Sequence, residues 1–230
     1  GTPGYGLLKD ITAIDLGVVA AKAALERGRV APDKIDQVIF GNASQTSADA
    51  LYGARHVGLK AGVPEKVPAL TVNRICGSGL QSVVSGAEQI LLGRAKTTLC
   101  GGMESMSQAP HVIRGAREGY RLGMDIKAED LLFSALMDPY CGFFMAQTAE
   151  NVAKDYGITR QQQDEFALRS HRLGNCATQN GRFAEEIVPV EVKLGKKTVT
   201  VNRDDHLFPS TTIEGLAKLP PAFGPESFVT

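Results

Sequence analysis

The first hundred residues alternate short apolar runs with amphipathic stretches, and this alternation constrains the fold more than any other feature of the chain. Strands and helices that alternate at this pace form βαβ units, in which helices cover a mostly parallel sheet. The sequence therefore predicts an α/β fold. Strands are predicted at residues 36–41, 68–73 and 97–102, and helices at residues 12–28, 48–60 and 80–93.

Signals at the ends of these segments support the same interpretation. Thr12 and Asp15 form a capping box at the first helix, and Gly28 is expected at its C′ position. Residues 103–138 have no clear period, so we expect an irregular, partly helical excursion there. Beyond it, helices are predicted at residues 145–156 and from Thr159 onward, a hairpin at residues 187–192 and 197–201, and a short helix at residues 213–219.

Charge and cysteine usage exclude several functional classes. The 25 Lys and Arg residues balance 25 Asp and Glu residues, which argues against a nucleic-acid or anionic-membrane surface. No apolar run approaches the roughly 20 residues that a membrane span needs, and no secretory signal is visible. The four cysteines are isolated, without metal-ligand spacing, so neither a metal site nor a disulfide framework is expected.

One cysteine lies in a turn suited to chemistry. Residues 72–81 read V-N-R-I-C-G-S-G-L-Q, which places Cys76 where a predicted strand leads into a predicted helix. Free N–H groups at a helix N-terminus favour a thiolate and can stabilise an oxyanion. Gly77 and Gly79 would permit the backbone conformations and the close approach that a bulky acyl ligand requires. The pattern supports two interpretations equally: a nucleophile in an elbow-like turn, and a buried cysteine in a tight turn.

Several segments, taken in order, resemble the thiolase family. They are V-N-R-I-C-G-S-G-L-Q, the G-R-A that begins at Gly93, C-G-G-M-E-S-M-S at residues 100–107 and M-A-Q-T-A-E-N-V-A at residues 145–153. The tail P-P-A-F-G-P-E-S-F-V-T is similar to the approach to the family's next motif. Order and spacing match along nearly the whole chain. The resemblance is to the acetyl-CoA acyltransferases, or 3-ketoacyl-CoA thiolases, of that family.

The resemblance implies a fold and a set of roles. Residues 1–104 would form a partial N-terminal domain, and residues 105–230 an inserted α+β loop domain that holds CoA and helps assemble tetramers in some members. Cys76 would be the nucleophile that carries the acyl group as a thioester, its backbone N–H would be half of an oxyanion hole, and Met145 would line the thioester pocket. The partners would be acyl-CoA and CoA, bound as substrates, in a homodimer or homotetramer without a tightly bound cofactor.

Two positions depart from the pattern of some thiolases. Phe144 stands where those members have a His directly before the pocket Met, and Phe208 stands where they have an Arg that contacts the CoA nucleotide. We expect these polar contacts to be absent or replaced. Such a change favours longer or less standard acyl chains.

Other parts of the family's machinery have no match in the chain. The family uses an activating His, a second Cys in a C-G-G-G-like motif and an N-E-A-F-A-like motif, none of which occurs in residues 1–230. Its first strand is also expected to be missing, because Thr2 and Pro3 fall after it. We therefore expect a partial chain, truncated at both ends and inactive alone. His56, His111, His171 and His206 are expected to be surface or structural residues, and Cys100 and Cys141 core or loop residues.

Three functions are weighed on these grounds. The first is acyl transfer between a 3-ketoacyl-CoA and CoA, in fatty acid or acetoacetyl-CoA metabolism. The second is a non-catalytic fragment or pseudo-enzyme that binds acyl-CoA or a thiolase partner. The third, decarboxylating condensation as in the ketoacyl synthases, is disfavoured by the Asn-Arg before Ile75 and by the M-E-S-M segment. Without a visible transit peptide the expected compartment is the cytoplasm, with the mitochondrial matrix or peroxisome as the alternative.

Overall fold

The computed structural model describes residues 6–230, so the expectation about Thr2 and Pro3 lies outside the described residues. The helices are α1 (Ala13–Arg27), α2 (Gly53–Lys60), α3 (Ser78–Leu91), α4 (Leu131–Leu136), α5 (Met145–Tyr156), α6 (Arg160–Gln179) and α7 (Ile213–Ala217). The strands are β1 (Gln37–Gly41), β2 (Ala69–Val72), β3 (Thr98–Gly102), β4 (His111–Ile113), β5 (Ala128–Asp130), β6 (Met137–Asp138), β7 (Phe143–Phe144), β8 (Val190–Leu194) and β9 (Lys197–Val201).

A three-stranded parallel sheet of order β2-β1-β3 confirms the predicted α/β fold. Gly41, the last residue of the central strand, is opposite Val72 on one side and Gly102 on the other. The carboxyl ends of the three strands are therefore level. Loops that leave this edge are brought close together by the register alone, and open parallel sheets bind ligands outside this edge.

The hydrophobic core lies on the face of the sheet that α1 and α2 cover. Ile14, Val38, Phe40 and Val57 are almost fully buried there and belong to one cluster of packed apolar side chains. Alternation along β1 turns Ile39 to the opposite face, where α3 lies.

Helix α3 packs on its face of the sheet through small residues. Ser78, Ser82 and Gly86 are its buried positions, one turn apart. A side chain at Gly86 would lie 2.4 Å from the sulfur of Cys100, which explains the glycine. The outer side of α3 carries exposed apolar side chains, with Leu80 exposed by 72% and Leu91 by 85%.

Helix α1 begins as predicted and ends differently. The Thr12 hydroxyl accepts a hydrogen bond from the Asp15 N–H at 3.1 Å, which makes Thr12 the N-cap. Gly28, expected in the left-handed conformation, is the right-handed C-cap (φ −73°), and Arg29 takes the left-handed position (φ 53°). The Val30 N–H donates to the Leu25 carbonyl at 2.9 Å and closes a Schellman motif. The C′ position is therefore Arg29, one residue after the predicted Gly28.

Later elements follow the predictions closely, apart from residues 103–138. Helix α5 ends at Gly157 (φ 64°), and α6 begins at a capping box of Thr159 and Gln162. The antiparallel pair β8–β9 is the predicted hairpin. Within the excursion, β4 pairs antiparallel with β5, a pairing that the sequence did not predict.

The described residues form two compact units. The first runs through Leu132 and includes Val188–Asn202, and the second comprises Phe133–Ile187 and Arg203–Thr230. The division between residues 1–104 and 105–230 follows a family's domain pattern and stays a prediction. Among residues 6–230, no helix has both the length and the apolar character needed to cross a membrane.

Candidate active site

The turn that carries Cys76 lies at the carboxyl edge of the parallel sheet. Strand β2 ends at Val72 and α3 begins at Ser78, so only five residues connect them. Cys76 is exposed. The alternative of a buried cysteine in a tight turn therefore does not describe this residue, which lies at the edge where parallel sheets bind ligands.

The residue before the cysteine has a strained backbone. Ile75 has a φ of 48°, in the left-handed region that β-branched residues rarely adopt. Its side chain is 68% exposed, so burial of the side chain does not hold it there. Strain of this kind costs about 1–3 kcal/mol and persists where surrounding contacts determine the conformation.

Hydrogen bonds to both the N–H and the carbonyl of Ile75 hold its backbone. Its N–H donates to Oδ1 of Asn73 at 2.9 Å, and its carbonyl accepts from the Ser78 hydroxyl at 2.6 Å. The same hydroxyl accepts from the Arg74 N–H at 2.9 Å. Because Ser78 is buried, the two bonds to its hydroxyl are partly shielded from water, whereas the bond from the Ile75 N–H to Asn73 is exposed. The turn is thus tied both to the end of β2 and to the start of α3.

The first turn of α3 follows the cysteine turn directly, and the N–H groups of Gly77 and Ser78 donate to the Arg74 and Ile75 carbonyls at 3.0 and 3.1 Å. Gly77 is the N-cap, and no side chain caps the helix there among the described residues. The partial positive charge at this end of the helix therefore stays available to an anion. Gly77 and Gly79 were expected to supply unusual backbone conformations, but both have ordinary negative φ angles. That part of the prediction was wrong, since Ile75 takes the left-handed conformation.

Close approach, the other role expected of glycines, is found at the sheet. A side chain at Gly41 would lie 2.3 Å from the carbonyl carbon of Ser78. One at Gly102 would lie 3.1 Å from the Cα of Gly79. Two strand ends thus contact the backbone of the first helical turn directly. The cysteine turn is held by main-chain packing on a rigid sheet.

Met145 lies in the second unit, as the first residue of α5, and is half exposed. It lines an apolar cavity of about 420 Å³. The rings of Phe133 and Phe144 pack there with centroids 4.7 Å apart. Phe144 thus contributes to an apolar wall. The cavity is lined by Phe133, Leu136, Phe144, Met145, Ala146 and Phe223.

A buried carboxylate anchors the tail beside this cavity. Glu150, on α5, accepts hydrogen bonds from the Ser227 hydroxyl and the Val229 N–H. Burial alone would raise the pKa of Glu150, but these bonds and the one from the Phe228 N–H outweigh it and hold the pKa below its usual range. The anchored tail includes Phe223, which is how this wall of the cavity is kept in place.

The four histidines are either on the surface or in contact with structural neighbours. His56 lies with Nδ1 2.9 Å from Asp49, and this contact lowers the pKa of that carboxyl. His171 accepts a hydrogen bond from the Phe208 N–H at 3.4 Å and packs against its ring. His111 is exposed in β4, and His206 is exposed near Asp205. These positions agree with the surface and structural roles expected of them.

The remaining cysteines also have structural surroundings. The half-buried Cys100 donates to the Thr98 hydroxyl at 3.5 Å under α3. Cys141 and Cys176 are exposed, and Cys141 lies in the turn between β6 and β7. Within residues 6–230, no group of His, Cys, Asp and Glu side chains is arranged to hold a metal ion.

Asn73, Ile75 and Ser78 were missed as site residues at the sequence level. The only signal for them was position, next to a cysteine between a strand and a helix. The structure brings these residues together around Cys76. Met145 belongs to the second unit.

Comparison with known proteins gives one consistent family. The family model "Thiolase, N-terminal domain" matches residues 1–230. The human mitochondrial 3-ketoacyl-CoA thiolase is 50% identical over 225 residues, which are 98% of this chain and 57% of that protein. Beta-ketothiolase BktB of Cupriavidus necator is 45% identical over 96% of this chain and 56% of its own length.

A solved structure extends the likeness to three dimensions. The crystal structure of the human mitochondrial 3-ketoacyl-CoA thiolase in complex with CoA has a TM-score of 0.93 at 50% identity, covering 98% of this chain and 56% of that one. The chain therefore spans little more than half the length of these relatives.

Proposed function

This chain belongs to the thiolase family, and from that premise we propose that it carries the nucleophile of an acyltransferase acting between a 3-ketoacyl-CoA and CoA. The observation that carries the proposal is the exposed Cys76 at the start of α3, in a turn braced around the strained Ile75. A merely structural cysteine gains nothing from such a turn. A nucleophile gains a fixed direction of attack and nearby N–H donors.

The proposed reaction has two half-steps. The Cys76 thiolate attacks the 3-keto carbon, the bond between carbons 2 and 3 breaks, and the departing carbanion takes a proton to give acetyl-CoA. The acyl group stays on the sulfur as a thioester. The thiol of a second CoA, after losing its proton, attacks this thioester and releases a shortened acyl-CoA and free Cys76. Reversal of these steps is the Claisen condensation.

The chain's own residues would contribute at defined points. The backbone N–H of Cys76 would donate to the oxyanion formed when the sulfur attacks, and the partial positive charge at the start of α3 would stabilise it. The apolar cavity at Met145 would take the uncharged part of a thioester ligand, and Phe144 would extend the apolar surface of this cavity. The resemblance assigns the activating His and the second Cys to parts of the family that this chain does not include, so the activity is proposed for the complete protein.

CoA and acyl-CoA are the proposed partners, bound as substrates without a tightly held cofactor. A solved relative is a complex with CoA, which supports CoA as a ligand. We propose residues 105–230 as the loop domain of a homodimer or homotetramer. The cytoplasm was the expected compartment, whereas the human relative is named mitochondrial, which supports the mitochondrial alternative.

Thiolysis of acetoacetyl-CoA by the complete protein tests the proposal. We expect Cys76→Ala to lower the rate by about a thousandfold or more, because the covalent step is lost. Cys100→Ala is the matched control, and its rate should stay within about threefold of wild type. Equal rates for wild type and Cys76→Ala would contradict the proposal and favour the non-catalytic alternative.

A further inference from the structure

We propose that Glu104 is a positioning residue for the Cys76 turn, acting through residues 43–44 and the side chain of Asn73. Glu104 follows β3 and is distant in sequence from the turn. The inference rests on the proposed function, because the residue would act on the orientation of the Cys76 sulfur. The Glu104 carboxylate would thus affect Cys76 indirectly, first through residues 43–44 and then through Asn73.

The first link joins the ends of β3 and β1. One carboxylate oxygen of Glu104 accepts a hydrogen bond from the Ala43 N–H, and the other accepts from the Ser44 N–H at 3.1 Å. Asn42 strengthens the same junction, since its side-chain amide donates to the Met103 carbonyl at 2.9 Å. Two successive N–H groups directed at one carboxylate fix the path of the loop that leaves β1.

The second link joins that loop to the cysteine turn. The side-chain amide of Asn73 donates to the Ala43 carbonyl at 3.3 Å, while its oxygen accepts from the Ile75 N–H at 2.9 Å. Only one orientation of the Asn73 amide satisfies both bonds. The position of the Ala43 carbonyl therefore determines which way the Asn73 oxygen points, and that oxygen holds the N–H of the strained Ile75.

The strain at Ile75 makes this brace necessary. A β-branched residue left to itself returns to a negative φ, because its side chain is mostly exposed and pays no burial penalty by moving. Such a rotation would swing the next residue, Cys76. The Ser78 hydroxyl holds the carbonyl side of Ile75, whereas the N–H side depends on Asn73. Removing the carboxylate of Glu104 should thus loosen the N–H side and misdirect the sulfur.

The test is a double-mutant cycle in the complete protein with Glu104→Gln, Asn73→Ala and the double variant, assayed by thiolysis of acetoacetyl-CoA. Each single variant should lower kcat by about tenfold to a hundredfold, the effect of small misplacements of a reacting group, and leave KM within about twofold. The kcat of the double variant should be no lower than that of the more impaired single variant, because both residues act through one chain of contacts. Glu26→Gln, at an exposed position on α1, is the matched control and should keep the wild-type kcat.

Each outcome is decisive. Multiplying losses in the double variant, or a wild-type kcat for Glu104→Gln, would overturn the proposal. A loss of thermal stability without a change in kcat per alkylatable Cys76 would also overturn it, since that is the result of a purely structural role. If Glu104→Gln does not fold, Glu104→Asp keeps the charge with a shorter reach and is held to the same expectations. Cys76→Ala measured alongside separates a failure of the proposed function from a failure of this inference.

Discussion

The contact between β1 and the first turn of α3 leads to a sharp prediction about two glycines. In Gly41→Ala, the new methyl carbon would lie 2.3 Å from the carbonyl carbon of Ser78 and 2.4 Å from its oxygen. Both atoms are backbone, so neither can rotate away. In Gly79→Ala, across the same junction, the nearest atom is the Cα of Gly102 at 4.0 Å, an ordinary contact. The two substitutions should therefore have opposite effects.

The magnitudes follow from these distances. To restore an ordinary contact in Gly41→Ala, the start of α3 must retreat by roughly 1 Å, and overpacking of this kind costs about 3 kcal/mol. The same displacement moves Cys76, for which about a hundredfold loss of activity is expected. Gly79→Ala replaces a helical glycine that has negative φ, so it should be neutral or stabilise the protein by up to about 1 kcal/mol.

Urea denaturation and Cys76 alkylation of the complete protein check both effects. With a typical dependence on urea, a loss of about 3 kcal/mol lowers the midpoint by roughly 1 M. We expect that shift and slower, uneven alkylation for Gly41→Ala, and neither for Gly79→Ala. Equal midpoints for the two variants would refute the argument that β1 contacts the helical backbone directly.

Three further predictions follow from other features. The two backbone N–H groups that donate to Asp36 lower its pKa, so the stabilisation by its carboxylate is present above about pH 4 and is lost as the pH falls below that value. Asp36→Asn should therefore differ from wild type in unfolding free energy at about pH 7 and converge with it near about pH 2. A difference that persists at the acid end would contradict this. Ile75→Gly should change the unfolding free energy by less than about 1 kcal/mol, because relief of the left-handed strain offsets the greater flexibility of glycine in the unfolded chain. A larger loss of unfolding free energy in urea denaturation would count against strain at this residue. Because one side of α3 is apolar and exposed, the 230-residue chain should associate in gel filtration. The double variant Leu80→Lys, Leu91→Lys should have a larger monomer fraction than wild type. A monodisperse wild-type monomer would contradict this prediction.

Local signals in the sequence were sufficient for most of the regular elements. The strands of the parallel sheet are short apolar runs closed by turns, and capping residues such as Thr12 and Thr159 mark helix starts. The pairing of β4 with β5 was missed because strands of three residues show no period. Arg29 was missed at its left-handed position because glycine is the usual occupant.

The candidate site could be predicted in outline only. The position of Cys76 between a strand and a helix was enough to single it out. The strain at Ile75 runs against the preference of its side chain, so no propensity points to it. The hydrogen bonds from Ala43 and Ser44 to Glu104 join residues about sixty positions apart, and their proximity comes from the register of the sheet, which no local pattern contains.

The central claim is that Cys76 carries the acyl group, and trapping the acyl-enzyme tests it most directly. The complete protein is mixed with acetoacetyl-CoA without free CoA, quenched in acid, digested, and analysed by mass spectrometry. The account predicts the mass gain of one acetyl group on the peptide that contains Cys76, its absence in Cys76→Ala, and its removal when CoA is added before the quench. An acetyl group found on another cysteine, or none on Cys76 in a protein that turns over substrate, would contradict the account.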